Sequence, residues 1–164
     1  MKSHEIFKQM SPAQAAEIFT FLQREQKPVY KAAIQGLASQ RNLRGVFIER
    51  KPPQERHTWM QAALSRPLSD ALASHLLQGW LLGAQKPMLN DFLEALEIPH
   101  ADDGTVDELP PCPPKEKLVA AVNQLLEKYP AETVAIYLHA FRDMDSTVQW
   151  PALSEILADD PRLR

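Results

Sequence analysis

Apolar residues in this chain recur at intervals of three and four positions along most of its length. That spacing is the period of an α-helix that buries one face. Ile18, Phe19 and Leu22 illustrate it in the stretch SPAQAAEIFTFLQRE, and the β-branched residues form no alternating runs of the kind that strands need. With only 5 glycines among 164 residues, the sequence predicts an all-α fold of about seven to nine helices.

Prolines and capping residues divide these apolar stretches into separate helices. Ser11 is placed to cap the helix that starts at Pro12, with Gln14 at the position that completes a capping box. This helix is expected to end before Pro28, because a residue that precedes proline is disfavoured in the helical conformation. Pro28 itself can begin the next helix, since its missing N–H is one that a first turn leaves unsatisfied.

The tripeptide QKP occurs twice, and each copy separates two stretches with helical spacing. Further landmarks follow both copies in the same order. The separations are 59 residues for Gln26 and Gln85, 59 for Gly45 and Gly104, 58 for Pro52 and Pro110, and 62 for Leu76 and Leu138. We interpret this order as an internal duplication. The alternative is a coincidence, because prolines begin helices in unrelated sequences too.

The duplication predicts one all-α domain over residues 1–164, built from two similar units as a bundle or a short solenoid-like array. Unit 1 is predicted at residues 16–81 and unit 2 at residues 78–142, so that the two units share a helix. Residues 1–15 and 143–164 lie outside the repeat and are expected to cap it. The apolar residues available for capping are Ile6, Phe7 and Met10 at one end and Val148, Trp150, Leu153 and Leu157 at the other.

Cysteine usage and apolar length bear on the compartment. The single cysteine, Cys112, cannot form an intramolecular disulfide, so a reducing compartment is the simpler expectation. The opening stretch MKSHEIFKQM lacks the apolar core and cleavage site of a signal peptide. The longest apolar stretch, HLLQGWLLGA, is far shorter than the roughly 18 residues of a membrane span. The sequence therefore predicts a cytoplasmic protein that does not enter a membrane.

Motifs for catalysis, metal binding and phosphate binding are missing from the sequence. It contains no GxSxG elbow and no glycine-rich phosphate loop. The histidines are scattered singly, and the acidic stretch HADDGTVDE does not follow the ligand order of an EF-hand. We therefore predict no catalytic, cofactor-binding or metal-binding residues and no cofactor.

Charge is distributed unevenly along the chain. Residues 1–82 carry 11 Lys and Arg against 6 Asp and Glu, whereas residues 83–164 carry 7 against 15. The connection RNLRGVFIERKPPQER is basic around an apolar centre, and the corresponding connection HADDGTVDELPP is acidic. Such asymmetry indicates a partner surface, and two solvated faces of unlike sign are the alternative. The candidate partner-binding residues are Arg41, Arg44, Phe47, Arg50, Lys51 and Arg56.

Three functional hypotheses remain open at this point. The leading one is a non-enzymatic interaction or scaffold module that binds a protein partner through a groove or a loop surface. The partner's identity is open, and a second copy of the chain is one candidate, which would give a homodimer. One alternative is an enzyme in which His75, His139 and Arg142 converge between the two units. A second is weak binding of nucleic acid or phosphate by residues 41–56, which the overall acidity of the chain disfavours.

Overall fold

The computed structural model describes residues 1–144 and 150–163, and all regular structure in these residues is helical. The all-α prediction is confirmed. Ten α-helices occur in the described residues, with short 3-10 turns at Pro67–Ser69 and Pro161–Leu163. One helix more than expected is present, because the basic connection itself contains a short helix, α4. The helices are α1 (Ser3–Gln9), α2 (Pro12–Glu25), α3 (Lys27–Ser39), α4 (Gly45–Glu49), α5 (Pro53–Leu64), α6 (Asp70–Ala84), α7 (Lys86–Ala95), α8 (Lys115–Lys128), α9 (Ala131–Met144) and α10 (Pro151–Asp159).

Two compact units make up the chain, Met1–Trp80 and Leu81–Arg164, and the boundary between them falls inside α6. This position lies within residues 78–81, the segment that the sequence assigned to both repeat units. None of the helices in the described part of the chain combines the length and the apolar character needed to cross a membrane.

Unit 1 is built around α2, which packs against both α3 and α5. The stripe predicted for α2 is fully buried and consists of Ile18, Phe19 and Leu22. Phe19 stacks on Phe7 of α1, with ring centroids 5.9 Å apart, and α1 also packs against α5. Burying one side chain of this size contributes about 1.5–3 kcal/mol. These contacts hold α3 and α5 against each other on α2, which is the arrangement that positions the site described below.

Hydrogen bonds fix both ends of α1 in unit 1. The Asp70 carboxylate accepts the His4 backbone N–H at 3.1 Å and the His4 ring N–H at 2.7 Å. Burial raises the pKa of Asp70, but the hydrogen bonds from His4 outweigh it and hold the pKa below its ordinary value. At the other end of α1, Gln61 donates to the carbonyls of Phe7 and Met10, each at 3.0 Å. The residues expected to cap this end of the chain are buried: Ile6, Phe7 and Met10.

Unit 2 has an aromatic core. Phe92 on α7 meets Tyr137 and Phe141 on α9 edge to face, with ring centroids 5.6 and 5.5 Å apart. Trp150, just before α10, has its ring centroid 5.2 Å from that of Phe141, and its indole N–H donates to the Pro110 carbonyl at 3.2 Å. Of the residues expected to cap this end, Val148 lies outside the described residues, and the others are buried: Trp150, Leu153 and Leu157.

The helix starts of the two units follow the same order. Pro28 and Pro87 occupy the second position of α3 and of α7. Pro52 directly precedes α5 and Pro114 directly precedes α8, with nearly the same backbone angles, φ -53° and ψ 147° against φ -55° and ψ 144°. By its place before a helix, Pro52 resembles Pro114, 62 residues further on, more than the Pro110 with which the sequence paired it. The agreement concerns order and spacing, and the duplication itself stays a prediction.

The two glycines that the sequence paired have different conformations. Gly104 adopts a left-handed φ of 84°, and a Cβ added there would lie 2.7 Å from the Cβ of Leu89. Gly45 is the first residue of α4, and a Cβ added there would come no closer than 3.4 Å to Gln35. The basic connection thus contains a helix, whereas the acidic one contains an irregular turn.

Candidate functional site

The basic connection presents an aromatic side chain to solvent. After α3 ends, Asn42 takes a left-handed φ of 55°. α4 packs on α3 and buries Gly45 and Ile48, while Phe47 lies exposed next to Ile48 in the sequence. Three large apolar side chains of this segment face solvent, with exposed fractions of 41 %, 38 % and 57 %: Leu43, Val46 and Phe47.

Basic side chains flank this apolar patch. Arg44 and Arg50 are exposed and Lys51 is half-buried, and none of the three forms an ion pair within residues 1–144 and 150–163. Arg41 is also exposed, and its guanidinium carbon lies 5.9 Å from the ring centroid of Trp59, a cation–π distance. We call this set of residues the connection surface: Arg41, Leu43, Arg44, Val46, Phe47, Arg50 and Lys51.

Arg56, the sixth candidate partner-binding residue, is buried, with only 8 % of its surface exposed. From the start of α5 its guanidinium reaches the end of α4, where it donates to the carbonyls of Glu49 and Lys51 at 3.4 and 3.3 Å. A third long hydrogen bond, 3.4 Å, joins it to the side-chain oxygen of Gln23, and its Nε has no partner among the described residues. These acceptors are all neutral. Arg56 forms no salt bridge in the described residues, and burial of a charge without a paired counter-charge is unfavourable.

A pocket of about 290 Å³ lies beside Arg56. One wall is α3, which presents Lys27, Tyr30 and Lys31 at spacings of three and four on one helix face. Three cations and one carboxylate line the pocket, so its net charge is +2. We call it the Arg56 pocket, and its polar lining consists of Gln23, Lys27, Tyr30, Lys31, Glu49 and Arg56.

Tyr30 is the second buried polar side chain of the Arg56 pocket. It is 4 % exposed, and its hydroxyl proton has no acceptor among the described residues. Burial raises the pKa of Tyr30 and the nearby Glu49 charge adds to this, whereas the positive charge and the hydrogen-bonding contact of the Arg56 side chain lower it. The hydroxyl therefore keeps its proton at neutral pH and can donate it in a hydrogen bond. Two buried side chains with unused donors consequently line one pocket.

The three residues of the enzyme hypothesis lie on α6 and α9 and differ in exposure. His75 on α6 and Arg142 on α9 are exposed. His139 is buried, and its Nε2 donates to the Leu163 carbonyl at 2.8 Å, which ties the C-terminal 3-10 turn to α9. Burial lowers the pKa of His139, although this hydrogen bond raises it in part, so the ring is neutral at pH 7. No group of three or more metal-ligating side chains occurs in the described residues.

The acidic connection between α7 and α8 is exposed but internally hydrogen-bonded. Asp103 accepts the Thr105 hydroxyl at 2.6 Å and the Thr105 backbone N–H at 3.0 Å, and these bonds lower the pKa of Asp103. The Asn90 side chain of α7 donates to the Asp102 carbonyl at 2.9 Å, which holds the turn against α7. The exposed carboxylates of this connection belong to Asp102, Asp103, Asp107 and Glu108.

The sequence pattern indicated Arg56 only as one more basic residue of the connection, and the other residues of the Arg56 pocket were not predicted. A signal was present, because Lys27, Tyr30 and Lys31 share one face of a helix whose start was predicted. The rest of the pocket comes from α2, α4 and α5 through tertiary packing, which cannot be deduced from the periodicity of α3.

Comparison of the chain with protein-family models, with curated proteins and with solved structures finds no match. Function is therefore inferred from the connection surface and the Arg56 pocket, both of which belong to unit 1. Both sites carry mainly basic side chains, and of the two only the connection surface also exposes large apolar side chains.

Proposed function

We propose that the chain is an interaction module that binds an acidic segment of a partner protein through the connection surface. Phe47 is the observation that carries this proposal, because it exposes 57 % of its surface between Arg44 and Arg50. The fold does not need an aromatic residue there, since Ile48 and Gly45 already anchor α4. A solvent-exposed apolar patch rimmed by polar residues is typical of a binding site.

An apolar anchor is necessary because charge alone gives little affinity. An exposed ion pair contributes about 0–1 kcal/mol, and electrostatic complementarity mainly speeds the encounter and fixes orientation. Burying a phenylalanine side chain contributes about 1.5–3 kcal/mol, and Leu43 and Val46 enlarge the area that a partner can cover. The segment that fits best therefore carries several Asp or Glu residues around one large apolar residue. Its affinity should decrease as salt concentration increases.

A protein segment suits this surface better than a nucleic acid. Phosphates would satisfy the cations, but the apolar patch includes the aliphatic side chains of Leu43 and Val46, which offer no stacking face for a base. The chain as a whole also carries a net charge of -3. A second copy of this chain has such an acidic segment, because its acidic connection carries four exposed carboxylates next to Leu109 in the sequence.

Selection from a library of displayed peptides tests the proposal and yields the sequence pattern that the chain prefers. The full chain serves as bait, and the Phe47→Ala variant removes peptides that bind elsewhere. Leu68→Ala is the matched control, because Leu68 is 75 % exposed in the same unit but lies outside the connection surface. We expect the selected peptides to be acidic with one large apolar residue, to bind Leu68→Ala as tightly as the original chain, and to lose affinity with added salt.

Two results would contradict the proposal. One is that no peptide survives the counter-selection with Phe47→Ala. The other is that the surviving peptides are neutral or basic, or that their affinity does not depend on salt. Tight, salt-dependent binding of a nucleic-acid oligomer that Phe47→Ala retains would favour the second alternative, in which the cations act without the apolar anchor.

Light scattering at low and high salt tests whether the partner is a second copy of the chain. In that case, reversing Arg44, Arg50 and Lys51 to glutamate should convert a salt-sensitive dimer to a monomer. A chain that is monomeric under all conditions, together with selected acidic peptides, would indicate a different protein as partner. Dimers that the triple variant retains would contradict dimerisation through the connection surface.

We further infer that the two connections arose by internal duplication and then diverged in charge. The common order of helix starts supports this inference, as does the opposite charge of residues 41–56 and 100–111. We also place the protein in the cytoplasm, on the basis of its single, unpaired cysteine.

A further inference from the structure

The Arg56 pocket contains a buried positive charge that forms no salt bridge in the described residues, and the one carboxylate that lines the pocket, Glu49, leaves the pocket with a net charge of +2. The Arg56 guanidinium donates only to neutral acceptors, at 3.3–3.4 Å, which is long for a charged donor. Its Nε has no partner there, and the Tyr30 hydroxyl proton has no acceptor. Buried polar groups in native proteins are nearly always hydrogen-bonded, and buried charges are nearly always paired. An anion in this pocket would satisfy all of these groups at once.

We propose that the Arg56 pocket binds the phosphate group of a phosphomonoester. The pocket carries three cations and one carboxylate, a net charge of +2, and a phosphomonoester carries about -1.5 to -2 at pH 7. A carboxylate would neutralise only half of this charge. This inference does not rest on the proposed function, because Phe47 and the apolar patch take no part in it.

The donors in the pocket suit a phosphate in number and kind. Arg56 offers a planar set of N–H groups that matches two phosphate oxygens, and Tyr30 offers one hydroxyl. Lys27 and Lys31 are exposed at the rim of the pocket, and their long side chains can turn toward an anion that enters. The pocket thus offers two buried donors, Arg56 and Tyr30, and two exposed lysines with flexible side chains.

The size of the pocket restricts what the phosphate can carry. A volume of about 290 Å³ is just below the usual range for small-molecule sites, roughly 300–1,000 Å³. A phosphate with a short carrier fits this volume, whereas a nucleoside triphosphate does not. Ile34, which is buried on the same face of α3, adds an apolar wall for the carrier. A phosphorylated side chain and a small phosphorylated metabolite share this chemistry.

A purely structural role for Arg56 is the competing explanation. Its bonds to the carbonyls of Glu49 and Lys51 could serve to hold the end of α4, as basic side chains often do at helix C-termini. In that case, removal of Arg56 would loosen α4, and phosphate would have no effect on the chain. Binding measurements and stability measurements on the same variants separate the two roles.

The test is titration of the full chain with inorganic phosphate and with O-phosphoserine, at constant ionic strength in chloride buffer, by calorimetry and thermal unfolding. We expect both probes to bind and to raise the unfolding temperature. Arg56→Met should weaken binding at least about tenfold, since hydrogen bonds to charged groups are strong. Arg66→Met is the matched control, because Arg66 is exposed in the same unit and does not line the pocket, and it should bind as the original chain does.

Three further variants keep the proposal testable if Arg56→Met fails to fold. Lys27→Met and Lys31→Met alter exposed side chains, and Tyr30→Phe removes only a hydroxyl, so each should fold and bind phosphate several-fold more weakly. Phe47→Ala should leave phosphate binding unchanged, which separates this site from the connection surface. Tighter binding of a neutral phosphoserine peptide than of glucose 6-phosphate would identify a phosphorylated side chain as the ligand, and the reverse would identify a metabolite.

The proposal is overturned if neither probe binds at tens of millimolar, or if the pocket variants bind phosphate within about twofold of the original chain. It is also overturned if Arg56→Met lowers the unfolding temperature in chloride buffer while phosphate leaves the original chain unchanged. That pair of results would establish Arg56 as a tether of α4.

Discussion

Gly104→Ala should destabilise the chain by about 2–5 kcal/mol, for two reasons that the structure makes explicit. Gly104 has a φ of 84°, a left-handed conformation in which a side chain costs about 1–2 kcal/mol. The new Cβ would also lie 2.7 Å from Leu89 Cβ and 3.0 Å from Leu89 Cδ2. Because Leu89 Cβ is attached directly to the backbone of α7, it cannot rotate away, and the shift that relieves such a clash costs about 1–3 kcal/mol.

Gly45→Ala is the matched control. A Cβ at Gly45 would meet only Gln35 at 3.4 Å and Ile34 at 3.6 Å, which are ordinary contacts. Gly45 begins α4 without a positive φ, and replacing glycine by alanine at a position whose backbone conformation alanine can adopt stabilises a protein by about 0.4–1 kcal/mol. This variant should therefore be as stable as the original chain or slightly more stable.

Urea denaturation followed by circular dichroism measures both variants. Because the chain has two compact units, native-state hydrogen exchange should accompany it, so that the loss can be assigned to one unit. We expect the loss in Gly104→Ala to appear in amides of α7 and the acidic connection. If the unfolding free energy of Gly104→Ala is within about 0.5 kcal/mol of that of the original chain, the left-handed turn against Leu89 is not part of the native state.

Two further predictions concern the cores of the two units. Phe92→Ala should destabilise the chain by about 3–5 kcal/mol, because Phe92 is fully buried among aromatic rings. The control is Val119→Ala, which alters a partly exposed side chain and should change stability by less than about 0.5 kcal/mol. Equal losses of stability in the two variants, measured by urea denaturation, would contradict the aromatic core. Burial lowers the pKa of His57 below 6.5, and the nearby Arg56 charge lowers it further. The neutral His57 ring therefore contributes to the stability of the fold above pH 6.5, and this contribution is lost as the pH falls through the lowered pKa. His57→Phe keeps the ring contact with Phe19 and should lose less stability between pH 6.5 and about pH 5; unfolding free energies that fall in parallel with pH would contradict this.

Helix starts could be predicted from the sequence because they depend on local chemistry. Pro28 and Pro87 lie in the first turn of their helices, where a missing N–H group costs no hydrogen bond. Ser11 accepts the Gln14 backbone N–H at 3.1 Å, as the capping pattern indicated. The helical period likewise identified Ile18, Phe19 and Leu22 as buried. Each of these features is determined by residues that are only a few positions apart in the sequence.

Features that depend on contacts between distant residues could not be predicted in the same way. α4 has five residues, too few for a periodic pattern, and its position on α3 decides that Ile48 is buried and Phe47 exposed. The sequence indicates that Arg56 is a charge on the protein surface, but the packing of α5 against α2 and α3 buries it. The pairing of Gly45 with Gly104 was misleading, since only Gly104 needs a positive φ.

Photo-crosslinking from position 47 in living cells tests the proposed function most directly. Phe47 is replaced by p-benzoylphenylalanine, a photoreactive residue that preserves an aromatic ring, and the same replacement at the exposed Leu68 serves as control. We expect a crosslinked protein specific to position 47, with the crosslinked peptide rich in Asp and Glu, and we expect the yield to fall when Arg44 and Arg50 are reversed to glutamate. The proposal is contradicted if position 47 gives no adduct beyond those of position 68, or if its crosslinked peptides lack acidic residues.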